Sequence, residues 1–202
     1  MSILLSSLLF FACQSEIDNQ PSAEVKPMVE AKKSVEKKSE VKKEAPTGVA
    51  LSLKDDSSIG FVGAKITGDH SGEFKKFSGT ASVADGKLTG LKATVDMSSV
   101  EADHVKLTSH LKSPDFFDIG SFAEATFTSS KIEDGKISGV LDFHGIKNKI
   151  SFPADIKVEG ENVKINAKFN INRQLWKISY PGKKDDLIKD DVLIKINANY
   201  GK

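Results

Sequence analysis

From Val49 to the C-terminus the apolar residues fall on alternate positions, the period of a strand with one face turned to a core. Glu161 to Arg173, ENVKINAKFNINR, is the clearest case. Val163, Ile165, Ala167, Phe169 and Ile171 share one face, and Lys164, Asn166, Lys168 and Asn170 share the other. Lys136 to His144 puts Ile137, Gly139, Leu141 and Phe143 together, and Asp191 to Tyr200 does the same with Val192, Ile194, Ile196 and Ala198. Similar runs cover Ile59 to Ile66, Lys75 to Val83, Leu88 to Met97, Ala123 to Ile132 and Lys149 to Val158, with turn formers such as Ala84-Asp85-Gly86 between them. Strands so closely spaced predict an antiparallel meander. Eight such runs suggest an all-β, closed antiparallel barrel, because closure removes the edge strands that would otherwise aggregate. The outer face is polar, so this is not a membrane-spanning barrel, in which the alternation is inverted.

One stretch breaks the period. Between Met97 and Ala123, Val100, His104, Leu107 and Leu111 recur at helical spacing after Ser98 or Ser99, either of which can cap a helix. Pro114 forbids continuation, so a short helix is expected across one end of the barrel. The segment that follows it, SPDFFDIGSF, mixes turn formers with Phe116, Phe117 and Phe122. Asp115 and Asp118 are expected to satisfy the backbone there, and Phe116, Phe117 or both to turn inward as a plug.

The first 48 residues read differently. Met1 to Ala12 is almost wholly apolar or small, too short for a bilayer span of about 20 residues but suited to the apolar part of a secretory leader. It ends in Leu9-Phe10-Phe11-Ala12-Cys13, similar to a bacterial lipobox, and Cys13 is the only cysteine, so no intrachain disulfide can form. A leader also needs basic residues ahead of its apolar stretch, and none precedes Lys26. Ser15 to Gly48 is dense in Lys and Glu and carries no large apolar face, which predicts a disordered spacer. The expected organisation is a signal peptide over 1–12, a lipid-anchored flexible linker over 13–48 and a β-barrel domain over 49–202.

Composition removes several function classes. With 29 basic and 28 acidic residues the net charge is +1, which gives no reason to invoke nucleic acid. The four histidines form no metal-binding spacing, and His104 and His110, six apart, cannot share a helix face. No G-x-S-x-G is present, Cys13 lies outside the domain, and the Asp pairs at 55–56, 185–186 and 190–191 either point to opposite strand faces or sit in loops. The expectation is a protein that is not an enzyme and holds no metal. Binding is the better candidate, because twelve Phe against one Trp and two Tyr supply apolar volume with few polar handles.

Several segments resemble the YceI-like lipid-binding family. His110-Leu111-Lys112-Ser113-Pro114-Asp115-Phe116-Phe117-Asp118 is similar to its most recognisable motif, and Ala123 to Ser129 to the strand after it. Gly139 to Asn148 resembles a G-x-L-x-x-x-G-x-T-K hairpin, Arg173 before Trp176-Lys177-Ile178 an Arg before Phe-Gly-Ile, and Asp190 to Ile194 the closing strand. The resemblance implies a lipocalin-like, extended eight-stranded barrel whose interior holds an isoprenoid or another long-chain amphiphile, with a bound isoprenoid lipid or quinone in place of a cofactor. Candidate ligand-binding residues are then Phe61, Phe77, Phe127, Leu141, Phe143, Phe152, Ile165, Phe169, Ile171 and Trp176. Arg173 and Lys147 are candidates for the head group. Expected partners are the lipid ligand, the membrane through acylated Cys13, and a second copy in a homodimer. The expected location is the bacterial cell envelope, facing the periplasm, the outer membrane ahead of the inner. The alternative is a solid-core barrel serving as an envelope interaction module.

Overall fold

A computed structural model describes residues 15–28, 48–133 and 135–202. Strand β1 (Glu24–Pro27) lies in the N-terminal segment. β2 (Val49–Leu53) and β3 (Ser58–Lys65) are two halves of one run bent at Lys54 to Ser57, followed by β4 (Gly68–Phe74), β5 (Phe77–Ala84) and β6 (Lys87–Asp96). A 3-10 turn at Met97–Ser99 leads into β7 (Val100–Ala102) and the helix α1 (Val105–Lys112). β8 (Glu124–Glu133), β9 (Lys136–Phe143), β10 (Ile146–Pro153), β11 (Asp155–Glu159) and β12 (Asn162–Asn172) come next. A second 3-10 turn, Arg173–Trp176, precedes β13 (Gly182–Lys183) and the long β14 (Asp186–Gly201).

The fold is all-β and mostly antiparallel, with one α-helix among the described residues. Strands β10, β9, β8, β6, β5 and β2 pair in that order. β14 pairs along one edge with β12, Phe169 opposite Ile194, and along the other with β3 and the end of β2. The alternating residues of β12 and β14 behave as expected: Val163, Ile165, Ala167, Phe169 and Ile171 are all buried.

Five strands went unseen in the sequence: β1, β2, β4, β7 and β13. β4, GDHSGEF, has no apolar alternation and forms because β3 and β7 pair with its two edges. The helix starts later than Ser98 or Ser99. Asp96 caps the 3-10 turn instead, Val100 is buried in β7 opposite Phe74, and the Nδ1 of His104 accepts from the Lys106 amide to cap α1. Strand pairing thus overrides helical periodicity in that stretch.

The larger correction concerns the spacer. Residues 15–28 lie on the folded domain. β10 runs on into β11 through Ala154, but only β11 pairs with β12. The gap between β10 and β12 is taken by the N-terminal segment. β1 pairs with β10, Glu24 opposite Ser151, while the Ala23 amide donates to Asn170 O and the Asn170 amide to Pro21 O, each at 2.8 Å. Further back, Ile17 is 3% exposed against Val62, Ala64 and Leu193, an apolar patch on the outward face of the sheet. Glu16 bridges Lys168 and Lys195 at 2.6 and 2.7 Å, and Asp18 meets Lys189 at 2.5 Å. The strap therefore has what composition averages hid: one well-placed isoleucine and acids that face lysines. The rest of the expected linker, 29–47, and Cys13 lie outside the described residues.

Candidate ligand-binding site

The inward faces of β5, β6, β8, β9, β10, β12 and β14 surround a cavity of about 190 Å³. Of the ten apolar side chains expected to contact a ligand, eight line it: Phe77, Phe127, Leu141, Phe143, Phe152, Ile165, Phe169 and Ile171. Phe152 stacks on Phe169 at 4.3 Å between centroids, and Phe127 leans on Phe152 at 5.8 Å, making one aromatic wall. Of the lining residues only Ser78, Thr126 and Tyr200 carry a hydroxyl, and none is charged. Larger hollows of 740 and 710 Å³ exist on the outside, but Lys87, Glu133 and Asp155 rim one, and Glu73, Glu101 and Asp103 the other. Those are solvated grooves, unsuited to an apolar ligand.

Phe61, Trp176, Arg173 and Lys147 do not line the cavity, for identifiable reasons. Phe61 lies over Gly72, where any Cβ would collide with its ring, and packs on Phe74 at 5.8 Å. Trp176 is fully buried beside Phe143 at 6.2 Å, and its backbone carbonyl is bonded to His144 Nδ1 at 3.0 Å. Arg173 is 4% exposed and spends its guanidinium on the carbonyls of Ile178, Ile188 and Lys189 and on the carboxylate of Asp190. It fastens the turn before β14 to that strand, and burial pushes its pKa down against the pull of Asp190. Lys147 is exposed on β10 and faces Asp142 at 3.6 Å.

The helix end is filled by the segment after α1. Phe116 is buried against His110 and Tyr180, at 5.0 and 5.2 Å, and Phe117 bridges Phe74 and Phe143 at 6.2 and 5.8 Å. Both phenylalanines are core, but the aspartates do not cap the turn with their side chains. Ser113 O accepts from the Phe116 and Asp118 amides, Asp118 O accepts from Ser121 and Phe122, and the Asp115 carboxylate faces His110 at 3.4 Å.

The opening lies elsewhere. β2 pairs with β5 only from Thr80 to Val83, after which the chain bends at Lys54 and β3 moves off to pair with β4. Phe77, Ser78 and Gly79 are therefore paired with β6 alone, among the described residues. Leu53, Phe74, Phe77 and Ser78 line both the cavity and a surface groove that runs over Lys54, Asp55, Glu73 and Lys75. Sequence reasoning missed this mouth, because a gap in pairing follows from where two strands part and not from any residue type.

A family profile described as "YceI-like domain" matches residues 53–200. The chain belongs to this family. A UPF0312 protein of Pseudomonas fluorescens is 29% identical over 137 residues, 61% of this chain and 71% of its own length. A UPF0312 protein of Vibrio campbellii is 35% identical over 101 residues, 45% of this chain; the chain spans about half, 52%, of that relative. Among solved YceI-like folds, Burkholderia cenocepacia BcnA superposes with a TM-score of 0.62 at 21% identity, over 71% of this chain and 95% of its own. A polyisoprenoid binding domain from Saccharophagus degradans, implicated in plant cell wall breakdown, gives 0.62 at 16% identity over 75% and 97%. The YceI-like region begins at residue 53, so the strap at 15–28 lies wholly outside it.

Proposed function

We propose that this protein is a non-catalytic, lipid-anchored protein of the cell envelope that binds an isoprenoid or similar long-chain amphiphile inside its barrel, as carrier or store. The observation that carries the reading is the interior cavity, with all but three of its lining residues apolar and none charged. Apolar burial is worth roughly 25 cal/mol per Å², so a hydrocarbon tail would be held with few polar contacts. The name of the Saccharophagus relative, a polyisoprenoid binding domain, agrees in ligand class. We read the sheet as an eight-stranded barrel, since pairing can be followed from β14 through β12, β11 with β10, β9, β8, β6 and β5 to β2 and back to β14.

The size of the cavity favours a second reading. At about 190 Å³ it is smaller than the usual 300–1,000 Å³ of ligand pockets, as a packed interaction module would be. Phe143→Trp separates the two. In a ligand site it blocks binding with little change in stability, whereas in a packed core overfilling costs about 1–3 kcal/mol. Anchoring is tested apart from binding: Cys13→Ser should release the protein from membranes to the soluble fraction, and unchanged association would remove that part of the reading. Cys13 precedes by two positions Ser15, whose hydroxyl donates to Asp69 at 2.7 Å. An acyl chain there would hold the barrel wall close to the lipid surface, on a tether far shorter than the 13–48 segment.

A further inference from the structure

Tyr200 is the one buried residue of the lining that carries a polar side-chain atom. It sits near the end of β14, opposite Leu53 on one side and Val163 on the other, and is 5% exposed. Its side chain reaches the cavity, yet its hydroxyl has no hydrogen-bond partner among the described residues. Buried tyrosine hydroxyls usually find a partner, and this one, unlike Trp176 Nε1 and His144 Nε2, is not sealed off by protein atoms, so a ligand oxygen can reach it. Its place is fixed by Gly79, where a Cβ would stand 3.3 Å from the Tyr200 Oη and 2.8 Å from Lys92 O. Gly79 belongs to the three residues of β5 left unpaired on one edge, so the hydroxyl lies beneath the mouth.

We propose that the Tyr200 hydroxyl is the head-group reader of the interior site and selects amphiphiles whose head carries an uncharged hydrogen-bond acceptor, such as a ketone, quinone or ester oxygen. This rests on the reading above, that the cavity takes an amphiphile. The tail runs toward the aromatic wall of Phe127, Phe152 and Phe169, and the head stops under Gly79. Burial pushes the phenol up to about 12, so it is a neutral donor at any physiological pH. An anionic head is disfavoured at this depth, because no cation lines the cavity and an unpaired buried charge is expensive. A phosphate would have to stay outside, in the groove with Lys54 and Lys75.

The test uses the purified full chain and two probes of equal length, 2-pentadecanone and pentadecane. Wild type should bind the ketone more tightly, and Tyr200→Phe should lose about five- to tenfold of ketone affinity, the worth of one neutral hydrogen bond, while pentadecane binding stays the same. Melting curves confirm that the variant folds. A measurement on wild type needs no variant: the ketone, but not the alkane, should perturb the tyrosine absorbance. Equal loss for both probes would make Tyr200 a packing residue, and no loss with no perturbation would mean that water satisfies the hydroxyl; either result overturns the proposal. Wild type binding neither probe would overturn the binding reading itself.

Discussion

The sheet parts in two places, and the two partings are finished in opposite ways. Between β10 and β12 the chain lays its own N-terminal segment into the gap, with backbone bonds to both neighbours and Ile17 buried beyond. Between β5 and β3 nothing pairs with Phe77 to Gly79 among the described residues, and the cavity runs out to a surface groove. Unpaired strand edges invite aggregation, so a fold leaves one bare only where the edge is short or in use. The filled gap reads as wall and the bare one as doorway. The family match begins at residue 53, so the filling comes from outside the matched region.

The comparison can be broken most forcefully on the strap side. Ile17→Ala removes a buried side chain from the Val62, Ala64 and Leu193 patch and should cost about 2–4 kcal/mol. The loss should appear first as fast hydrogen exchange at the amides that bond to β10 and Asn170. If exchange there is unchanged, the strap is not held by Ile17.

Next in size is an effect on the doorway side. The folded pKa of Tyr200 is raised to about 12 from about 10 in the unfolded chain, so the contribution is intact below pH 10 and lost as pH rises toward 12. Two units correspond to about 3 kcal/mol at most. Chemical denaturation of wild type and Tyr200→Phe between pH 9 and 12 should show a steeper loss in wild type, the excess being the Tyr200 contribution, since Lys75 is also shifted upward and is common to both.

Smaller still is Phe77→Ala at the rim, which should cost about 1–2 kcal/mol because the ring is only half-buried, yet speed the exchange of bound amphiphile in stopped-flow experiments. The smallest effect belongs to Glu16, whose carboxylate is held below its usual range by hydrogen bonds from Lys168 and Lys195. A depressed carboxylate stabilises above its unfolded pKa, and that stabilisation is lost as pH falls through the folded value. Strap protection should therefore weaken below about pH 4.5 by a few tenths of a kcal/mol, since the pair is well exposed, and Glu16→Gln should abolish the dependence.

How much of this was legible follows from what each signal depends on. β12 and β14 could be read because alternation is local, and eight of the apolar candidates line the cavity because they sit on the inward faces of β5, β8, β9, β10 and β12. Ile17 could not be read: one isoleucine in a polar tract has no period, and the patch it covers is formed by Val62, Ala64 and Leu193 from two distant strands. Arg173 was placed at the mouth by its charge, but its donors are taken by four acceptors of its own turn and β14. Phe61 and Trp176 are inward, as alternation and position suggested, yet they pack the helix end rather than the cavity. Facing inward and facing a ligand are different properties, and only the second depends on where the core stops being filled.

The most direct test of the interior site is mass spectrometry of an organic extract from protein purified under native conditions, alongside the same preparation of Phe143→Trp. Wild type should yield a long-chain amphiphile with a neutral oxygen-bearing head in near-stoichiometric amount, and the variant none. An empty extract from wild type, or the same lipid in equal amount from both, would contradict it.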